Sequence, residues 1–297
     1  MTGREGRSEA RAGWSFISPA MLLIGVFFAI PVGSAFLLSF TDFDIYSIGD
    51  FGSTRFVGFK NYADLLAMPL FWQALRNTLY FVVVGGPLSA AASLAAALLV
   101  HSKLTRFKPF FRSAFFAPWV TTLVAVALVW RYLYHPQYGL FNAGLGLLGI
   151  GPIDMLGDPR WAMPSIILLS VWKNFGYNML VFLAGLSSIP EELYEAAALD
   201  GAGAWNRLRH ITLPMLGPTF VFVGVVTMIA SFQIFSEPYV MTQGGPLKST
   251  TTLVLLMYEQ GFRWWRLGLS AAIAVVLFVL TLGGTLLQLR LRRTTPR

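Results

Sequence analysis

Long apolar runs and short polar connections alternate along this chain. Six runs, approximately Phe16–Phe40, Leu75–Val100, Phe111–Tyr134, Pro164–Leu186, Gly217–Met241 and Gly268–Leu289, stay predominantly apolar. A hydrocarbon core about 30 Å thick needs about 20 helical residues, so each run predicts a transmembrane helix. Pro31, Pro87, Pro118, Pro164, Pro218 and Pro238 fall in or beside these runs and predict kinks, which membrane helices tolerate when neighbours satisfy the freed carbonyls. The pattern therefore gives an all-α integral membrane protein with about six transmembrane helices. Two connections are long enough to fold locally, one near Asp42–Phe71 and one near Ser187–Leu216.

Composition agrees with that pattern. A chain of 297 residues that is 56% hydrophobic and 12% charged holds more apolar surface than one soluble core absorbs, and the bilayer is the simplest solvent for the excess. The formal charge of +8 would suggest nucleic acid in a soluble protein, but here the basic residues concentrate between the apolar runs. Arg4, Arg7 and Arg11, then Lys103, Arg106, Lys108 and Arg112, then Arg207 and Arg209, then Arg290, Arg292, Arg293 and Arg297 all fall on one side of a six-span topology. An excess of Lys and Arg marks the cytoplasmic side, which puts both termini inside. The opposite side carries Asp42, Asp44, Asp50, Asp64, Asp154 and Asp158. Arg4, Arg7 and Arg11 ahead of an apolar run imitate a secretory signal, yet the run is longer than a signal core and more spans follow; the reading is an uncleaved first helix. The domain plan is a cytoplasmic tail over residues 1–14, a membrane domain over 15–289 and a basic cytoplasmic tail over 290–297. With no cysteine in the chain, disulfides, thiolate metal sites and cysteine nucleophiles are excluded.

The cytoplasmic connection at about 187–216 is the informative one. Ser187 to Leu199 reads as a helix with a Ser188 or Ser187 cap, Pro190 in its first turn and Glu191 and Glu192 near its positive end. It stops at Asp200-Gly201, and a second helical stretch follows from Ala204 to about Ile211 before Leu213-Pro214 returns the chain to the membrane. Two short helices joined at a glycine form a compact protrusion suited to docking a partner. A plain helix with Gly201 as its C-terminal cap fits the same residues.

Spacing adds to this. Glu195-Ala196-Ala197, three residues, Gly201, nine residues, Ile211, one residue and Leu213-Pro214 resembles the cytoplasmic signature of permease subunits of binding-protein-dependent ABC importers. Phe56-Val57-Gly58-Phe59-Lys60-Asn61-Tyr62, Gly139-Leu140-Phe141-Asn142, and Thr242-Gln243-Gly244-Gly245-Pro246 with Thr250 to Thr252 resemble the sugar-permease branch, of the maltose and glycerol-3-phosphate type. The resemblance runs from about Ser15 to about Leu289 and implies the type I importer architecture in a prokaryotic inner membrane. It further implies a second permease sharing the pathway, a cytoplasmic ATPase dimer holding ATP and Mg, and an extracytoplasmic solute-binding protein, with no cofactor in this chain. By position, the resemblance gives Glu195 a basic ATPase residue, lets Ala196 and Ala197 approach the ATPase closely, and makes Gly201 the bend. Asp200, Ile211, Leu213 and Pro214 complete the coupling loop.

Within the fourth run, Lys173 and Tyr177, and Asn174 and Asn178, are each one turn apart, and Gln233 and Glu237 have the same spacing in the fifth. A lysine at that depth costs about 2.5 kcal/mol or more unless it faces protein or water. These stripes are candidates to line a path for a hydroxylated solute, with Trp172, Phe175, Phe232 or Phe235 stacking on its apolar face. Equally, they fit helix-to-helix contacts, with Lys173 pairing to Glu237. Trp119, Trp130, Trp161, Trp264 and Trp265 read as interfacial anchors.

Several chemistries lack their signatures. Gly244 to Ser249 imitates a phosphate loop, but Leu247 stands directly before Lys248 where that loop has glycine. His101, His135 and His210 have no metal-ligand spacing, and neither a serine elbow nor a carboxylate pair is evident. The chain reads as a transport subunit, not an enzyme. A lipid-modifying membrane enzyme would need clustered ionisable residues at one face. A stand-alone secondary transporter would show repeated halves and several intramembrane carboxylates, where only Glu237 is a candidate. For the solute, a mono- or oligosaccharide leads, with glycerol-3-phosphate or a polyol as the alternative.

Overall fold

The computed structural model describes the backbone of residues 2–49, 52 and 54–293, and the side chains of 13–47, 49, 52 and 54–290. The side chains of Arg4, Arg7, Arg11, Asp50, Arg292, Arg293 and Arg297, with most of the basic tail, lie outside the described residues. Among the described residues the structure is helical, and one antiparallel bridge, Thr41 with Phe56, is the sole pairing of extended backbone.

Four helices are long and apolar enough to cross a membrane: α1 (Gly13–Leu38), α2 (Pro69–His101), α5 (Pro159–Ser187) and α10 (Leu267–Arg290). Two bent helix pairs raise the candidates to as many as six if each pair counts as one span. α3 (Lys108–Val120) meets α4 (Leu123–Leu133) at 97°, and α7 (Ala204–Met215) meets α8 (Gly217–Phe232) at 65°. Between α5 and α7 lies α6 (Glu191–Leu199), and after α8 comes the short α9 (Ser236–Met241). All six apolar runs thus become helical, but the third is broken at Thr121-Thr122 and the fifth at Gln233 to Phe235.

Four wide π-turns occur among the described residues; the one at Glu259–Arg263 precedes no nearby proline, and the other three do. Those three occupy Gly25–Ala29, Phe81–Gly85 and Leu208–Thr212, each ending two residues before a proline: Pro31, Pro87 and Pro214. A proline ring collides with the carbonyl four residues earlier, here that of Phe27, Val83 and His210. A widened turn moves that carbonyl aside without breaking the helix.

The chain divides into two compact units. The first holds Met1–Ala67 and Met257–Val276. There the Phe56–Tyr62 motif closes the end of α1: Asn61 donates to the carbonyls of Ser39 and Thr41 at 2.9 and 2.8 Å, and Tyr62 and Ser39 share a 2.7 Å hydroxyl bond. The Gly268 amide donates to the Phe43 carbonyl at 2.8 Å, in a space that a Cβ would contest with the Thr41 carbonyl.

The second unit holds Met68–Leu256 and Leu277–Arg297. One of its cores gathers Trp130, Tyr134, Ile166, Leu169 and Ile234; the other gathers Ala97, Met179, Phe182, Leu186 and Leu216. α5 supplies both. Gly176 lets α3 approach α5 so closely that a Cβ there would meet the Phe115 carbonyl, and Gly185 makes similar room for Thr219 and Leu216. Trp130 is 7% exposed and packs against Tyr134, Phe141 and Trp172. The interfacial-anchor expectation is therefore wrong for Trp130, whose ring fills the gap between α4 and α5.

Candidate functional site

A helix broken inside a membrane frees backbone groups that lipid cannot satisfy, so each break has to be sealed by protein or open onto a wet cavity. At Thr121-Thr122 the seal is Lys173. Lys173 is 9% exposed, and its ammonium donates to the carbonyls of Pro118, Trp119 and Thr121 at 3.3, 3.2 and 3.0 Å. The Thr121 hydroxyl adds a 2.6 Å bond to the Pro118 carbonyl. A cation at the negative end of α3 also complements the helix dipole. Lys173 thus acts as the C-terminal cap of a different helix, and among the described residues it forms no ion pair with Glu237.

The second break opens a cavity. After Phe232 the chain leaves α8, and Gln233, Phe235, Ser236 and Glu237 line a space of about 460 Å³ together with Trp119, Asn174, Tyr177 and Asn178. Trp119 stacks on Tyr177 with ring centroids 5.1 Å apart, so it walls the cavity and is not the interfacial anchor its sequence position implies. Asn178 donates to the Thr227 hydroxyl at 3.1 Å, and Asn174 to the Ser170 carbonyl at 2.9 Å. Among the described residues Glu237 is the one charged side chain in the wall, with Ser170 beside it.

Of the residues singled out from sequence, Asn174, Tyr177, Asn178, Gln233, Phe235 and Glu237 meet at this cavity, while Trp172 and Lys173 do not line it. Trp172 instead lies against Trp130, Phe175 against Phe115, and Phe232 is buried in the core. Gln233 and Glu237 are not successive turns of one helix, because α8 ends at Phe232 and α9 starts only at Ser236. The break brings both to the cavity by another route.

The connection over residues 187–216 follows its predicted outline with one correction. α6 begins after Pro190, which occupies the N-cap position and makes no side-chain cap bond. Ser187 and Ser188 face backwards, donating to the carbonyls of Leu183 and Gly185 at 2.9 and 2.8 Å in the last turns of α5. At the far end, the Ala202 amide donates to the Ala197 carbonyl at 2.8 Å and the Gly201 amide to Ala198 at 3.1 Å. Gly201 takes φ +77°, the left-handed turn that glycine adopts without steric cost. Glycine as cap and glycine as bend are one geometry here. Tyr194 and Thr212 share a 2.9 Å bond that ties α6 to α7. Lys103 pairs with Glu191 at 2.5 Å, and that hydrogen bond and charge hold Glu191 below the usual carboxylate range and Lys103 above the usual ammonium one. Glu195, Ala196, Asp200, Gly201 and Pro214 are exposed, Ala197, Ile211 and Leu213 half-buried. Leu199 and Trp205 stand out at 90% and 69% exposed.

Sequence reasoning missed Asn77 and Thr78. The Thr242–Thr252 segment is stitched by its own hydroxyls, Thr250 to the Gly245 carbonyl and Thr252 to the Ile234 carbonyl. α2 then clamps it: Asn77 donates to the carbonyls of Lys248 and Thr251 at 3.0 and 2.9 Å, and the Leu253 amide to the Thr78 hydroxyl at 2.9 Å. An Asn-Thr pair inside an apolar run was the available signal. In the same way Asn142 holds the connection after α4, exchanging two 2.9 Å bonds with Ile153.

The sequence profile of the binding-protein-dependent transport system inner membrane components matches residues 19–295. The chain belongs to that family. Among its relatives in the binding-protein-dependent family, the trehalose/maltose transport system permease protein of Thermococcus litoralis is 33% identical over 293 residues, 99% of this chain and 97% of its own length. The sn-glycerol-3-phosphate transport system permease protein of Pectobacterium atrosepticum is 35% identical, covering 96% of each chain. A bacterial ABC transporter involved in the import of the acidic polysaccharide alginate matches in structure with a TM-score of 0.84 at 20% identity, over 99% of both chains. This family member therefore has the fold of an ABC importer permease.

Proposed function

We propose that this chain is one of two permease subunits of an ATP-driven importer, and that its solute is an uncharged saccharide or oligosaccharide. The observation that carries the reading is the cavity wall: amides from Asn174, Asn178 and Gln233, aromatic rings from Trp119, Tyr177 and Phe235, a single carboxylate from Glu237, and no Lys or Arg. Hydroxyl-rich solutes suit such a mixture of hydrogen-bonding and stacking groups. A phosphate ester would need a cation there, and the ammonium of Lys173 is taken up by three carbonyls. Saccharide names among the relatives support the same class.

In this reading the 187–216 loop docks on a cytoplasmic ATPase that binds ATP and Mg, and an extracytoplasmic binding protein delivers the solute. Exposed Glu195 with Leu199 and Trp205 offers a charged and an apolar contact for that partner. The membrane is the inner membrane of a prokaryote, with both termini cytoplasmic.

Copurification with native partners into nanodiscs, followed by ATP hydrolysis assays, tests the proposal. The expected result is a complex with a second permease and an ATPase, stimulated by a binding protein loaded with a neutral saccharide and not by one loaded with glycerol-3-phosphate. A chain that transports alone, without an ATPase, would overturn it.

A further inference from the structure

The outer half of α2 presents two adjoining hollows that the transport reading leaves unused. One, of about 380 Å³, is polar and lined by Gln73, Arg76, Asn77, Arg160 and Ser249. The other, of about 410 Å³, is an apolar groove along Trp72, Leu79 and Val83. Arg76 and Tyr80 line both.

The polar hollow is rich in unused donors. Arg76 and Arg160 are exposed, and among the described residues neither guanidinium is in an ion pair. The hydroxyl of Ser249 is buried there without a hydrogen-bond partner. The neighbouring carboxylate, Asp158, is occupied with the Arg160 amide at the start of α5 and does not line the hollow. Two arginines and a serine hydroxyl that line one hollow, with no carboxylate among its lining residues, match a phosphate group. Arg76 also lies seven residues inside α2, about 10 Å along the helix axis. Trp72 and Tyr80 in the same stretch are the amphipathic rings that favour a membrane interface.

We infer that α2 and the first turn of α5 form a binding site for one anionic glycerophospholipid, its phosphate between Arg76 and Arg160 and an acyl chain along Trp72, Leu79 and Val83. A soluble anion would use the polar hollow alone. The apolar groove joined to it through Arg76 and Tyr80 selects a ligand with a charged head and a hydrocarbon tail.

Native mass spectrometry of the purified importer complex, titrated with phosphatidylglycerol or phosphatidylcholine, tests this. Wild type should retain phosphatidylglycerol in preference to phosphatidylcholine, and Arg76→Gln with Arg160→Gln should lower that preference by about tenfold or more while the complex stays assembled. Equal retention of the two lipids by wild type, unchanged preference in the double variant, or displacement by an equal concentration of soluble glycerol phosphate would overturn the site. A photoreactive residue at Val83 gives an independent reading: a lipid adduct supports the proposal, and a crosslink to a second polypeptide overturns it.

Discussion

Lys173 and Asn178 sit on one helix five residues apart and do different work. Lys173 caps α3 and is absent from the cavity wall, whereas Asn178 lines it. Lys173→Met strips three carbonyls of their donor, and leaving a buried acceptor bare costs about 1–3 kcal/mol. The variant should therefore melt earlier with little change in apparent KM for uptake. Asn178→Leu should do the reverse, raising KM several-fold with a near-normal melting temperature. Uptake kinetics and thermal melting of the purified complex, measured on both variants, separate the two; a KM effect confined to Lys173→Met would contradict this division of labour. From sequence alone the two residues looked alike, as polar groups on a shared stripe. Nothing in that stripe reveals that a neighbouring helix ends beside one of them.

Helices were legible because length and apolarity are local properties. Their interruptions were not, because Pro-Trp-Val-Thr-Thr-Leu-Val reads as continuous apolar chain, and the reason it can turn through 97° is a lysine more than fifty residues later. The loop at α6 and α7 was readable for the opposite reason: its acidic first turn and its glycine act within a few residues, although the N-cap is Pro190 and not a serine. Close packing between helices belongs to the illegible class as well. Gly176 looks like an ordinary weak point in α5, yet it is where the α3 backbone arrives. Gly176→Ala should cost about 1–3 kcal/mol through overpacking, although alanine is the better helix former. Thermal or denaturant melting of the complex checks the sign; a stabilised Gly176→Ala variant would mean that α3 and α5 can separate freely.

For the chain as a whole, the charge distribution predicts an orientation in the membrane, and the absence of cysteine makes that orientation directly measurable. Tyr46 and Leu104 are 83% and 92% exposed, in connections that the basic residues assign to opposite sides. A membrane-impermeant maleimide should label Tyr46→Cys in intact cells and Leu104→Cys only after permeabilisation. Labelling of both from outside would reverse or dismantle the topology.

The wide turn at Phe81–Gly85 carries a further meaning for how such a chain can change over time. A π-turn holds one residue more than the α-turn it replaces. It therefore acts as a phase shifter: Asn77 and Thr78 before it address the Thr242–Thr252 segment, while Ser89 beyond it faces the cavity. Removing a single residue from the turn would restore a plain helix and swing one set past the other by about 100°. Substitutions along α2 are local events, but its residue count is a global constraint, and drift in sequence has to proceed without insertions or deletions there.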